Sequence, residues 1–117
     1  KHPLRGALFE NWVLCEVLKA ILNRGHRPRL SFYRDHQGHE VDLLVECGED
    51  TAAIEIKSAQ TIAGDFFDQL EWLAAQNLGP GTAPLRPLLI YGGSERQERT
   101  RGDVIPWSVV HELDWSS

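Results

Sequence analysis

Apolar residues recur at helical spacing from Leu4 to Asn23, and Gly25 with Pro28 just beyond supplies a stop. The spacing predicts a long first helix whose apolar arc contains Val13, Leu14, Val17, Leu18, Ile21 and Leu22. Glu10 lies on the same side, because Glu10, Leu14, Val17 and Ile21 step by four, three and four along one stripe. Its carboxylate is therefore expected to point inward. A place in the first turn, where a carboxylate favours the helix dipole and still reaches water, is the structural explanation. After the stop, "RLSFYRD" alternates as a strand, "HQGH" is a turn with its glycine late, and "EVDLLVE" is a second strand; "TAAIEIK" follows "CGED" as a third. "SAQTIAG" is a loop. "DFFDQLEWLAAQN" returns to helical spacing through Phe66, Leu70 and Leu73, with Phe67 and Ala74 widening the stripe. "LGPGTAPLRP" is rich in Gly and Pro and reads as a connection. "LLIYG", Leu88 to Gly92, is continuously apolar, as a strand buried on both faces is, and the charged loop "GSERQERTRG" leads to a last strand, Asp103 to Ile105. The order is helix, three strands, helix, one or two strands, an α/β (mixed α+β) arrangement. With 117 residues the chain has room for one hydrophobic core, hence a single domain over 1–117.

Within this pattern, "GHEVDLLVECGEDTAAIEIKS" sets acids inside two apolar runs and closes the second with a lysine. A two-residue type II′ turn at Gly48 and Glu49 predicts the register: Glu46 faces Thr51, Leu44 faces Ala53, Asp42 faces Glu55 and Glu40 faces Lys57. Glu40, Asp42, Glu55 and Lys57 then share one face, while Val41, Leu43, Val45, Ile54 and Ile56 form an apolar face that packs on the core. Directly opposed side chains stand about 4.5–5.5 Å apart at Cβ, and like charges so placed repel. Asp42 opposite Glu55 is thus a poor choice for stability alone. A hard divalent cation such as Mg²⁺ removes the objection, since it takes carboxylate oxygens and keeps positions open for water and a substrate phosphate. Lys57, on the same face, could stabilise charge developing on a phosphate or orient an attacking water. A lysine that merely pairs with Glu40 and Glu55 across the sheet is the alternative, because ion-pair networks imitate functional clusters.

The remaining composition narrows the picture without deciding it. Hydrophobic residues make up 42% and charged residues 25% of the chain, ordinary globular values. The net charge of −5 argues against a surface coated for non-specific nucleic-acid binding, though not against a local site. Basic residues gather around Arg24, Arg27, Arg29 and Arg34 and again at Arg96, Arg99 and Arg101; they either flank the acidic centre or are solvated loops, the commoner role of charge runs. Cys15 and Cys47 lack CxxC spacing, no signal peptide or spanning apolar run occurs, and a reducing, cytoplasmic setting is expected. His36 and His39 with Cys47 make a poor zinc set for want of a fourth ligand and are expected to be polar turn residues, with contact to a substrate phosphate a further option. Trp12, Trp72, Trp107 and Trp115 are expected in the core or at an interface rather than as base-stacking platforms.

Glu10 on the first helix, Asp42 on a strand, Glu55-Ile56-Lys57 on the next, and Gln69 on the following helix resemble the pattern of the PD-(D/E)xK nuclease-like superfamily. More closely, "GALFENWVLCEVLK", "FYRDHQGHEVDLLVE" and "IEIKSAQTIAGDFF" look like the domain of unknown function at the C-terminal end of many prokaryotic AAA-type ATPases. The resemblance implies a restriction-endonuclease-like core: a helix, a three-strand antiparallel meander, a helix, and one or two further strands in one mixed sheet. It implies Asp42 and Glu55 as ligands of Mg²⁺ or Mn²⁺, Glu10 as a third acidic contributor, Lys57 as the catalytic lysine acting with both acids, and DNA or RNA as partner. Gln69 would match a helix glutamine of some branches, but the tyrosine that usually accompanies it is absent and a surface glutamine is the plainer reading. The proline-aspartate opening is also missing, with Glu40-Val41 before Asp42. The resemblance further implies an ATPase portion upstream, which accounts for the lack of methionine; no Gly-rich loop ending in Gly-Lys-Ser or Gly-Lys-Thr is present, so ATP is not expected to bind this chain by that route. The function so implied is a metal-dependent phosphodiesterase acting on nucleic acid. The alternative is an inactive nuclease-fold module serving protein interaction or regulation of the ATPase, and fold alone does not choose between them.

Overall fold

A computed structural model describes residues 3–23, 25, 29–47, 50–76 and 85–113. Helix α1 (Pro3–Asn23) is followed by strands β1 (Arg29–Arg34), β2 (Glu40–Cys47) and β3 (Asp50–Lys57). A 3₁₀ turn (Gly64–Phe67) runs into α2 (Asp68–Ala75), and then come β4 (Leu85–Tyr91), β5 (Gln97–Arg99), β6 (Gly102–Pro106) and a 3₁₀ segment (Trp107–Glu112). Proline opens α1, where its missing N–H costs nothing, and Gly25 ends it in the left-handed conformation (φ +78°), donating its N–H to the Leu22 carbonyl at 3.0 Å.

The strands form one mixed sheet in the order β1-β2-β3-β4-β6-β5. The β1–β2–β3 meander is antiparallel, β4 and β6 continue it in parallel with β3, and β5 turns back antiparallel at the far edge. Central β4 has parallel neighbours on both sides, and Leu88, Leu89 and Ile90 are all fully buried, as its unbroken apolar run predicts. Leu88 and Ile90, with Leu43, Val45, Ile54 and Ile56, pack beneath Val13, Val17 and Ile21 of α1 and Val110 of the last 3₁₀ segment. Leu89 and Tyr91, with Ala53 and Val104, pack beneath Phe67, Leu70 and Leu73 on the opposite face. The sheet is thus sandwiched, and its edges and strand ends are left for chemistry.

Several expectations are corrected. Leu18 and Leu22 lie outside the core, Leu22 being 53% exposed, because the buried arc of α1 is the narrower Val13–Val17–Ile21 stripe widened by Ala20. Ala74 is exposed, and Leu85 to Pro87, expected in the connection, already belong to β4. The rest of that connection, 78–84, lies outside the described residues, as does the Gly48–Glu49 turn. The charged loop before the last strand contains β5, too short and polar for alternation to reveal it. Of the two places expected for the tryptophans, the core is excluded for Trp12 and Trp107: they meet edge to face, with ring centres 5.1 Å apart, at 42% and 38% exposure. Trp115 lies outside the described residues.

Val41 departs from the expected face in an informative way. Between the pairs Ser31–Leu44 and Tyr33–Val41, β1 advances two residues while β2 advances three. Strand β2 therefore carries a bulge at Asp42–Leu43, and the extra residue flips the side-chain phase beyond it. Leu43 and Val45 join the α1 side, whereas Val41 joins Leu70 and Tyr91 on the α2 side.

Candidate functional site

The β2–β3 register runs as predicted, Glu46 opposite Thr51 and Leu44 opposite Ala53, down to Leu43 opposite Ile54. At the bulge the backbone ladder stops, and side chains take over its bonds. The Asp42 N–H donates to Glu55 Oε1 at 3.1 Å, and the Ile56 N–H donates to Asp42 Oδ2 at 2.8 Å. Each carboxylate thus spends one oxygen on the opposite strand, which fixes its orientation and leaves Asp42 Oδ1 and Glu55 Oε2 for other partners. Lys57 Nζ stands 3.7 Å from Glu55 Oε2 and 5.4 Å from the centre of the Phe66 ring.

Glu55 is 4% exposed, the one buried charged residue among those described. Burial strips water from its ionised form, the Asp42 charge adds repulsion, and together they outweigh the Asp42 N–H and Lys57, pushing its pKa up to about 7. Asp42, half-buried, is also raised above the usual aspartate value, first by desolvation and then by the Glu40 charge, against the pull of the Ile56 N–H and Lys57. Glu10 is raised by partial burial and by the charges of Asp42 and Glu40. The structure therefore brings Asp42, Glu55 and Lys57 together and sets Glu10 within their electrostatic reach. The helix-dipole account of Glu10 fails, because α1 begins at Pro3 and has no acid in its first turn. Among the described residues no three His, Cys, Asp or Glu side chains form a ready ligand group.

Other expected residues serve the scaffold around this cluster. Glu40 pairs with Arg34 (3.4 Å) rather than with Lys57, and its N–H donates to Gln69 Oε1 at 3.2 Å. Gln69 is accordingly half-buried, tying α2 to the start of β2, not a free surface amide. His39 is held by Asp35, whose carboxylate caps the turn through the Gln37 and His39 N–H groups, and it stacks on Trp72 with ring centres 3.7 Å apart. Of the basic clusters, Arg29 lies 3.9 Å from Glu46, and Arg101 binds the Gly64 carbonyl, Asp68 and Glu71 while covering Phe67. Sequence reasoning did not find the bulge, which no spacing rule marks, nor the Gln69 contact, which depends on where α2 lands.

No helix among the described residues is long and apolar enough to cross a membrane. No curated protein matches the chain. Residues 5–110, most of α1 through the last strand and into the final 3₁₀ segment, match a family model described as a domain of unknown function, DUF4143, and the chain belongs to that family.

Proposed function

We propose that this domain is a metal-dependent phosphodiesterase of the PD-(D/E)xK, restriction-endonuclease-like type, acting on nucleic acid and appended to an AAA-type ATPase. The observation that carries the proposal is Glu55: a carboxylate 4% exposed, beside a second carboxylate, with an ammonium 3.7 Å away. Two like charges held together in a sheet cost stability unless a cation joins them. The donor set fits Mg²⁺ or Mn²⁺, because both are carboxylate oxygens, one on each residue is free of backbone hydrogen bonds, and Glu10 adds negative charge. When bound, such an ion polarises a phosphoryl oxygen and lowers the pKa of water. The protein's part is to hold Asp42 Oδ1 and Glu55 Oε2 in fixed orientation through the two backbone N–H bonds. Lys57 offers its ammonium to a non-bridging phosphate oxygen as charge accumulates there.

Calorimetric titration of Mn²⁺ tests the site. Binding is expected in the wild-type chain and lost, by about two orders of magnitude in affinity, in Asp42→Asn and Glu55→Gln. Cleavage of single- and double-stranded DNA and RNA in Mn²⁺, with Lys57→Ala as the inactive control, then tests the reaction. A second reading, an inactive module that docks on a protein, is favoured by the outer face of α1, where Leu8 and Leu22 are 60% and 53% exposed. A folded chain that binds no Mn²⁺ at millimolar concentration selects that reading.

A further inference from the structure

Beyond the acid cluster, a cleft of about 710 Å³ opens where the chain leaves the carboxyl ends of three parallel strands: Gln60 after β3, Gly92–Gly93 after β4 and Trp107 after β6. That size falls in the range of small-ligand sites, about 300–1,000 Å³, and crevices at this end of parallel strands are where open α/β sheets bind ligands. It adjoins the acid cluster, since Lys57 at the end of β3 is the register partner of Tyr91 at the end of β4.

The walls are preformed. The Tyr91 hydroxyl donates to the Glu95 carbonyl at 2.8 Å and accepts the Glu95 N–H at 3.0 Å, clamping the intervening loop. A side chain at Gly92 would collide with the Ser58 carbonyl, and one at Gly93 with the Tyr91 ring, so the loop packs at its closest on the segment after β3. Arg99, from β5, is fixed by Gln97 Oε1, which accepts from its Nε and Nη2 at 2.9 and 2.8 Å; this leaves the rest of the guanidinium fork for an anion. On the other side Trp107 is braced edge to face by Phe9 and Trp12 and stays 38% exposed. Glu95 also lines the cleft, which confines a phosphate to the Arg99 side.

We propose that this cleft holds one unpaired nucleotide, its base against Trp107 and its phosphate on Arg99, so that the domain selects single-stranded nucleic acid. A base within a duplex has both faces stacked and cannot offer one to a tryptophan, whereas an unpaired base can stack there, and the stacking tolerates any base. The amide of Gln60 supplies both a donor and an acceptor for a base edge. The inference rests on the phosphodiesterase reading for its biological use, yet it concerns binding alone and is tested without metal.

The experiment is fluorescence anisotropy of labelled oligothymidylate and oligouridylate, and of duplex DNA of equal length, with the wild-type chain in EDTA at low salt. Single strands are expected to bind at least about tenfold more tightly than duplex. Arg99→Ala is expected to weaken them about tenfold and to lower the slope of log affinity against log salt by about one. Trp107→Phe keeps a stacking ring and the brace, and should retain binding while losing part of the tryptophan quenching expected on oligonucleotide binding by the wild type. Equal or tighter binding of duplex, or an Arg99→Ala protein that is folded and unimpaired, overturns the assignment. Oligonucleotide binding in a chain that takes up no Mn²⁺ supports the cleft and removes only the catalytic reading; Mn²⁺ binding without oligonucleotide binding overturns the cleft and leaves that reading intact.

Discussion

Arg101 and Glu55 are each the hub of a charged cluster, and the clusters are built on opposite principles. Arg101 Nη1 donates to the Gly64 carbonyl at 2.6 Å and Nη2 reaches Asp68 and Glu71, while the guanidinium lies over Phe67. One cation meets two anions and a carbonyl, at a surface position where solvent tolerates any imbalance. That cluster joins the β5–β6 turn to α2, and of the Arg101 guanidinium only Nε is buried without a partner. Around Glu55, two acids and a third nearby face one lysine, inside a sheet, and all three acids have raised pKa values. At the surface, water makes up the excess charge and the cluster is architecture; inside a sheet the excess stays uncompensated and leaves room for a ligand. The same residue types thus carry different meanings, and burial separates them.

The contrast can be broken most directly at Glu55. Its folded pKa is above the ordinary glutamate value, so it favours folding in its neutral form: that contribution is fully present below about 4.5 and is lost as pH rises through about 7. Glu55→Gln, which keeps an Oε1 acceptor for the Asp42 N–H, should stabilise the metal-free domain at pH 8 by on the order of 2 kcal/mol and do little at pH 4. Thermal melts across that range measure it, and a lower melting temperature for the variant at pH 8 would make the cluster a structural ion pair. Next in size, Mn²⁺ must compete with the same proton. Affinity should rise about tenfold per pH unit below about 7 and level off above it, so a pH-independent calorimetric isotherm would place the ion elsewhere.

Arg101→Ala should lower the melting temperature by a few degrees, less in high salt, and leave Mn²⁺ affinity unchanged. A change in metal binding would mean that the clusters communicate and that the contrast is false. The smallest effect is expected on the exposed face of α1. Leu22→Glu should shift stability by less than about 0.5 kcal/mol; a larger loss in denaturant titrations would return Leu22 to the core from which its exposure removes it.

How far each region was legible in the sequence follows from what its residues depend on. Strand β4 declared itself, because burial on both faces demands an unbroken apolar run. The β2–β3 register followed from side-chain alternation and the length of the connection, and the conjunction of Asp42, Glu55 and Lys57 came with it. The bulge was invisible, since an extra residue is detectable only against the partner strand, and Val41 was assigned to the wrong face as a result. Leu18 and Leu22 obeyed the helical period but met no neighbour, for period gives a direction and not what lies there. Arg101 looked like any residue of a charged loop until the turn carried it onto α2, and the cleft at the strand ends is assembled from segments far apart in the chain. "GGS" directly after "LLIY" was its one local sign.

The bulge has a consequence for how the domain could have acquired or shed its chemistry. In the alternation of β2, Asp42 and Leu43 together occupy one place: Val41 and Leu44 belong to the α2 side, Val45 to the α1 side, and Leu43 by itself fills the gap between them. Asp42 is in this sense supernumerary, like a dislocation in a crystal lattice. A chain with that single codon deleted would keep every apolar residue of both layers in phase. Gain or loss of the acid by a one-codon insertion or deletion, with the fold intact on either side of the event, is a step open to this architecture and closed to a sheet whose acids sit in regular positions.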